Sequence, residues 1–500
     1  MNLTESFQLL LGVVTIVGAI YAITRRVDVR LALMAAALIL GFVAGKPAPI
    51  LVKFFETFAN ERFVVPICTA MGFAYVLRHT QCDQHLVHLL IKPLTKVRWA
   101  LIPGTLIVAF IVNIPIISQT STAATLGPVV IPILLAARIS PTTIGATLLL
   151  GCSVGGELLN PGAPELRTTV SVSEDTLTEQ GKPPMGLTAA IVIQRILPLN
   201  LMGLLAVTLV HWWLSARAEA KEAQQDSNEQ QDETAPTEEV ETFQISYLRA
   251  AIPLLPLALL FLTGPPLNLI HVPPAWLVPK VATLQNDISD LKAQDGLAQH
   301  QQTDLQPKQS EVIRLAGLAG SRLIGASMLI GVFVAALVAW RSAMRIPRAF
   351  FDGAGYAFAN IVSLIVTASC FAEGIKIIGI AKFIGVIIGE EPWLLFPPSG
   401  ALPMGFATVC GSGMASTQAL FGFFAVPAVD AGVDPALVGS VVALASAAGR
   451  TMSPVAAVTL MSSSLTNTSP FALAKRVAFP LICGVIVIVV AAMIQSALSD

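Results

Sequence analysis

Apolar runs of roughly twenty residues, the length that carries an α-helix across the hydrocarbon core of a bilayer, recur along this chain between short polar segments. They predict ten spans, near residues 6–24, 29–45, 62–78, 141–160, 190–214, 248–264, 321–340, 357–374, 435–460 and 476–497. Two further apolar stretches, 99–138 and 393–431, are long enough to cross twice but carry polar centres. The first centre reads Ser118-Gln119-Thr120-Ser121-Thr122, and the second reads Gly411-Ser412-Gly413-Met414-Ala415-Ser416-Thr417-Gln418. Both repeat one pattern, in which a Ser-Thr pair is followed eleven residues on by a proline (Pro132, Pro427) and a second proline (Pro141, Pro435) opens the next apolar helix. Polar, interrupted segments at matching places of two halves are a sequence-level pointer to a carrier's substrate site.

Charge decides how the two stretches sit, because cytoplasmic loops are enriched in Lys and Arg. Arg25, Arg26 and Arg30 put the first loop inside, and counting onward puts Arg78, Lys92, Lys96 and Arg98 inside as well. Arg138 lies at the other end of 99–138, so this stretch is expected to enter from the cytoplasm, turn at its polar centre and return. The stretch 393–431 is flanked by Glu390, Glu391, Asp430 and Asp434 and counts to the outside, while Arg341, Arg345, Arg348, Lys475 and Arg476 count inside. The expected fold is an all-α polytopic membrane protein of about ten transmembrane helices plus two re-entrant hairpins in an inverted repeat. Residues 1–214 form the first repeat and 248–500 the second. The Glu- and Gln-rich segment 215–247 is expected to be a disordered cytoplasmic linker. A hydrophilic insertion, 265–320, counts to the outside; Leu284, Ile288 and Leu291 predict one short amphipathic helix in it, with loop elsewhere. Amphipathic stretches at 83–98, capped by Asp83, and at 375–391 precede the hairpins and are expected to lie in the interface.

Composition agrees: 54% of the 500 residues are hydrophobic and 12% charged, beyond the usual balance of a soluble domain. A net charge of -1 lacks the basic footprint of a nucleic-acid binder. The six cysteines have no CxxC spacing and read as small core residues. No GxxxxGK[ST] motif and no GxGD motif occurs, so neither an ATP-driven pump nor an intramembrane protease is expected, and the chain is not read as an enzyme. No cofactor and no metal site is expected beyond sodium ion or proton coupling.

Helix ends inside a bilayer leave unpaired backbone groups that must face protein, water or ligand. Small hydroxyl residues and glycines suit such tips, which makes Ser118, Thr120, Ser121, Thr122, Gly411, Ser412, Gly413, Ser416 and Thr417 the first candidates for substrate binding. The helices that follow are expected to break near Gly155 and Pro161, and near Gly449 and Pro454. The second break brings Arg450, Thr451 and Ser453, and the first brings Ser153, Glu157 and Asn160 as candidates for ion coupling. Arg450 is the sharpest of these, since a charge within a span normally faces a partner or a wet pathway, and its guanidinium can hold a carboxylate bidentately. Two readings stay open for it: contact with substrate, or a structural ion pair with Glu157.

The second half resembles the DcuC-type anaerobic C4-dicarboxylate carriers of the ion transporter superfamily. The strings that carry the likeness are Phe358-Ala359-Asn360-Ile361-Val362, Phe371-Ala372-Glu373-Gly374, Gly411-Ser412-Gly413, Asp434-Pro435 to Leu437, Ala448-Gly449-Arg450-Thr451-Met452-Ser453-Pro454-Val455 and Ser469-Pro470-Phe471. The resemblance implies a secondary carrier of succinate, fumarate or malate in the bacterial inner membrane, working by efflux, exchange or ion-coupled uptake. It also implies a homodimer in which the hairpins and broken helices slide against a scaffold as an elevator. Carriage of another anion, such as citrate, and a gated anion channel are the alternatives. In the first half the likeness is weaker, with Glu157 and Asn160 standing where small or apolar residues are expected.

Overall fold

The computed structural model describes residues 3–25, 27–93, 100–226, 244–263, 269–293, 299–379 and 392–498. Within them the chain is built from helices alone. In order these are α1 (Leu3–Thr24), α2 (Val29–Val43), α3 (Ala48–Phe58), α4 (Glu61–Thr80), α5 (Cys82–Ile91), α6 (Leu101–Asn113), α7 (Gln119–Ala136), α8 (Pro141–Ser153), α9 (Pro164–Glu179) and α10 (Ala189–Asp226). The second half continues with α11 (Tyr247–Ala251), α12 (Leu255–Thr263), α13 (Pro274–Leu277), α14 (Lys280–Ala293), α15 (Gln299–Val338), α16 (Ile346–Ala357), α17 (Ser363–Ile377), α18 (Phe396–Cys410), α19 (Gly413–Asp430), α20 (Pro435–Met452), α21 (Ala457–Thr466) and α22 (Pro470–Ala497).

Among the described residues, eight helical stretches are long and apolar enough to cross a membrane, and shorter apolar helices lie at Leu10–Ile23, Val29–Val43, Leu101–Asn113 and Tyr247–Thr263. The protein is therefore an all-α polytopic membrane protein. Seven of the eight cover predicted spans; the eighth is α7, the second arm of the predicted hairpin 99–138.

Each half contains the same succession: a helical hairpin, a helix broken in its middle, and a long closing helix. The first hairpin is α6 and α7, joined through Ile114–Ile117, where Pro115 lacks the donor a helix would need. Ser118 caps α7, its Oγ accepting from the Ser121 N–H at 3.3 Å. The second hairpin is α18 and α19, turned by Gly411 at φ +71° and capped by Ser412, whose Oγ accepts from the Ala415 N–H at 3.1 Å. Next, α8 stops at Ser153 and the chain resumes as α9 after Gly155, at φ +105°, and Pro161. Likewise α20 stops at Met452 and resumes as α21 beyond Pro454. The second break thus falls beside Pro454, as expected, while Gly449 lies inside α20 and breaks nothing.

The two broken helices run antiparallel past each other. The start of α8 meets the end of α21, with Gly145 against Thr466, and the start of α20 meets α9, with Gly439 against Thr169. Between these contacts the two breaks face each other, Ser153 against Thr451. The hairpins pack across the halves as well: α7 lies on α21 as well as α8, and α19 lies on α9 as well as α20.

Several local expectations change. The polar segment 164–179, given no structure from sequence, is helix α9, nearly all of it buried. Two of its charges find partners outside it: Arg167 donates to the Arg62 carbonyl and to Ser321, and Glu174 accepts from the Leu187 N–H. Helix α10 runs on to Asp226, so the first part of the segment 215–247 is helical rather than disordered, and residues 227–243 lie outside the described residues. In the insertion, α14 forms where a short helix is expected, but the Gln-rich remainder is the first half of α15 rather than loop. The first amphipathic helix begins at Cys82, after Gln81 in the left-handed region at φ +56°, so Asp83 is not its cap. Of the stretch 375–391, residues 380–391 lie outside the described residues.

Candidate substrate-binding site

The geometry of the site follows from where helices end. Helices α8 and α20 leave unpaired carbonyls at their last turns, and these meet in the protein interior. The Ser153 carbonyl accepts from Arg450 Nη2 at 3.1 Å and from Thr451 Oγ1 at 3.0 Å, and Ser153 Oγ lies 2.7 Å from Thr451 Oγ1. Arg450 thus sits at the negative ends of two helix dipoles, where a cation is favoured. Its other partner is Glu157, with Nη2 2.7 Å from Oε1. Both side chains are buried, at 9% and 0% exposure. The open choice made from sequence is settled geometrically in part: the Arg450–Glu157 ion pair exists.

That pair is incompletely built. An arginine fork matches a carboxylate through two parallel bonds, yet here only Oε1 is engaged. Glu157 Oε2 and Arg450 Nε are both buried with no hydrogen-bond partner. Each such orphan costs roughly 1–3 kcal/mol. The Thr417, Gln418 and Ser453 side chains also carry buried polar atoms without partners.

The hairpin tips are tied to this junction. Asn113, at the end of α6, accepts the Glu157 N–H at 3.1 Å and donates from Nδ2 toward the Ile116 carbonyl at 3.0 Å and Thr122 Oγ1 at 3.3 Å. Asn160 donates to the Ile114 carbonyl at 2.9 Å and accepts from the Gly162 N–H at 2.9 Å, so both ends of its amide are used in holding the first turn. On the other side, a Cβ on Gly413 would lie 3.3 Å from Arg450 Nη1, which places the start of α19 beside the guanidinium. Ser416 Oγ donates to the Pro403 carbonyl at 2.7 Å and accepts from Ser446 Oγ at 3.0 Å. Gly411 lies against Val455 and Ala456 of the second break.

The predicted residues Ser153, Glu157, Arg450, Thr451 and Gly413 therefore form one cluster, with Thr122 and Asn160 joined to it through the first hairpin turn. Ser118 and Ser121 bond to each other at 3.0 Å on the half-buried tip. Thr120 is half-buried there too, and Gly411 and Ser412 are its counterparts on the second tip. Two residues escaped the sequence reading. Asn113 is a lone amide closing an apolar helix, a signal that could have marked it. Glu165, at the start of α9, is buried and feels the charge of both Arg450 and Glu157.

A buried carboxylate braces the first hairpin from outside. Asp83 Oδ2 accepts from Thr125 Oγ1 at 3.0 Å, and burial pushes its carboxyl above the usual carboxylate range despite that bond. A carboxyl whose pKa is higher folded than unfolded keeps its proton longer in the folded state. Its contribution to stability therefore falls as pH rises from the unfolded value, about 3.9, through the raised folded one. Asp83→Asn is expected to melt at a higher temperature than the parent protein at pH 7, with the difference gone near pH 4. An advantage unchanged between these two pH values would contradict that origin.

A profile of the DcuC family, described as C4-dicarboxylate anaerobic carrier, matches residues 55–497. The chain belongs to the DcuC family. Its members are transporters and not enzymes. Among curated proteins, a Haemophilus influenzae transporter is 38% identical over 141 residues, 28% of this chain and 97% of that one. The anaerobic C4-dicarboxylate transporter DcuC of Escherichia coli is 33% identical over 144 residues, 28% of this chain and 31% of that protein. The DcuC match spans both hairpins and both broken helices, so the Arg450 junction lies wholly within the family's matched region.

Proposed function

We propose that the protein is a secondary active carrier for C4-dicarboxylates such as succinate, fumarate and malate, moving them by efflux, exchange or ion-coupled uptake. The observation that carries this reading is Arg450: a guanidinium buried at the meeting of two broken helices, half of its hydrogen-bonding fork unused, beside the start of α19. A carboxylate is the chemical complement of that unused donor, and the positive N-terminal end of α19 favours negative charge nearby. In this reading the two hairpins are re-entrant and move with the broken helices as an elevator against the remaining spans. The carrier works as a homodimer in a bacterial inner membrane, on the family's example. For coupling by proton or sodium, Glu157 is the candidate with an unused atom; Ser153 and Asn160 are spent on structural bonds.

Counterflow of labelled succinate in proteoliposomes, challenged with unlabelled fumarate and with citrate, tests the reading. Fumarate is expected to compete and citrate not. Competition by citrate alone would move the substrate class, and conductance without counterflow would indicate a channel.

The tips differ in exposure: Ser121 is half-buried, whereas Ser416 is fully buried. A cysteine at position 121 is expected to react with a polar thiol reagent roughly tenfold faster than one at 416, and succinate is expected to slow it. Equal rates, or no protection at 121, would count against the first tip as a ligand contact.

A further inference from the structure

The Arg450–Glu157 pair is buried, yet an acceptor on one member and a donor on the other are left orphaned. Such an arrangement marks a carboxylate that occupies the arginine without completing its fork. We propose that Glu157 is a built-in competitor for the substrate's carboxylate, each occupying Arg450 in turn, and that Glu157 takes up a proton when the substrate displaces it. This deepens the carrier reading above and rests on it.

The balance is simple. Before binding, the guanidinium and the Glu157 carboxylate neutralise each other. After binding, the ligand carboxylate takes the guanidinium, and Glu157 is a buried carboxylate that has lost the ion-pair partner it has among the described residues. A solitary buried carboxylate is resolved by protonation rather than by staying charged. One proton therefore enters with each ligand, drawn from solution, and leaves when Glu157 returns to Arg450. The titratable groups facing Glu157 are Arg450 from α20, Glu165 from α9 and Cys152 from α8.

Other features hold Glu157 in place for such an exchange. Its backbone N–H is anchored by Asn113 and its turn by Gly155, whose carbonyl accepts from Asn200 Nδ2 at 2.7 Å.

Succinate binding to the purified full-length protein, followed by calorimetry in two buffers of different ionisation enthalpy at pH 7, counts protons taken up per ligand. The expected result is about one proton for the parent protein and none for Glu157→Gln, with Glu157→Asp restoring the uptake. Removing the competitor also frees Arg450, so Glu157→Gln is expected to bind succinate about tenfold more tightly. Zero uptake by the parent protein would overturn the proposal, and that measurement needs no variant. Uptake retained in Glu157→Gln and abolished in Glu165→Gln would overturn the assignment to Glu157. Absence of succinate binding by the parent protein would instead remove the carrier reading itself, and this proposal with it.

Discussion

Arg450→Ala is expected to abolish dicarboxylate counterflow. Truncating one partner of a buried, hydrogen-bonded charge pair costs about 3 kcal/mol or more at a binding site, which corresponds to a loss of roughly 100-fold. The same change removes one of the two donors to the Ser153 carbonyl and leaves Glu157 buried without the guanidinium it pairs with. Some loss of stability should accompany it, of the order of 3–5 kcal/mol for a buried ion pair broken from one side. The double variant Arg450→Ala with Glu157→Gln separates the two effects. It is expected to recover most of the stability and none of the transport. Counterflow at the parent rate in either variant, in protein that reaches the membrane, would remove Arg450 from the substrate path.

Gly449→Ala is expected to be nearly as damaging, for a steric reason. A Cβ at position 449 would overlap the Met404 carbonyl oxygen and lie 2.9 Å from the Ala407 side chain. Helices α18 and α20 touch through backbone at this point, and Thr408 Oγ1 donates across the same gap to the Gly449 carbonyl at 3.1 Å. Overpacking in a well-packed core typically costs about 1–3 kcal/mol. Here the obstacle is a main-chain oxygen that no rotamer change relieves, so the second hairpin must shift away from Arg450. Gly405→Ala, on the facing helix α18 but with open space around it, is the control and is expected to behave as the parent. Melting curves and counterflow for the pair decide this. Equal behaviour of the two variants would show that the close approach is not needed.

Much of the membrane plan was legible in the sequence because lipid imposes a strict rule: apolar length reads directly as a span. The paired hairpins were legible for a related reason, since serine, threonine and glycine clusters amid apolar residues are uncommon without a use. Helix α9 was not legible. Its charges suggest a surface, and what buries it is a set of partners, Arg62, Ser321 and Leu187, that are distant in sequence and cannot be guessed from local pattern. The same limit applies to Gly449, which looked like a helix breaker because a glycine's two uses, turning and close packing, leave the same letter. The Arg450–Glu157 pairing could be named as an option from chemistry alone. That it is one-sided, with an unused oxygen and an unused nitrogen, needed coordinates.

Helix α15 offers a practical consequence of a different kind. Forty residues at 1.5 Å each make a rod about 60 Å long, twice the thickness of the hydrocarbon it crosses. The projecting part is braced by α14, with Val278, Val281, Leu315 and Ala319 packed together. A two-helix projection on an otherwise lipid-wrapped molecule is a natural grip for an antibody fragment. It gives imaging a landmark outside the detergent belt against which displacement of the hairpins could be measured.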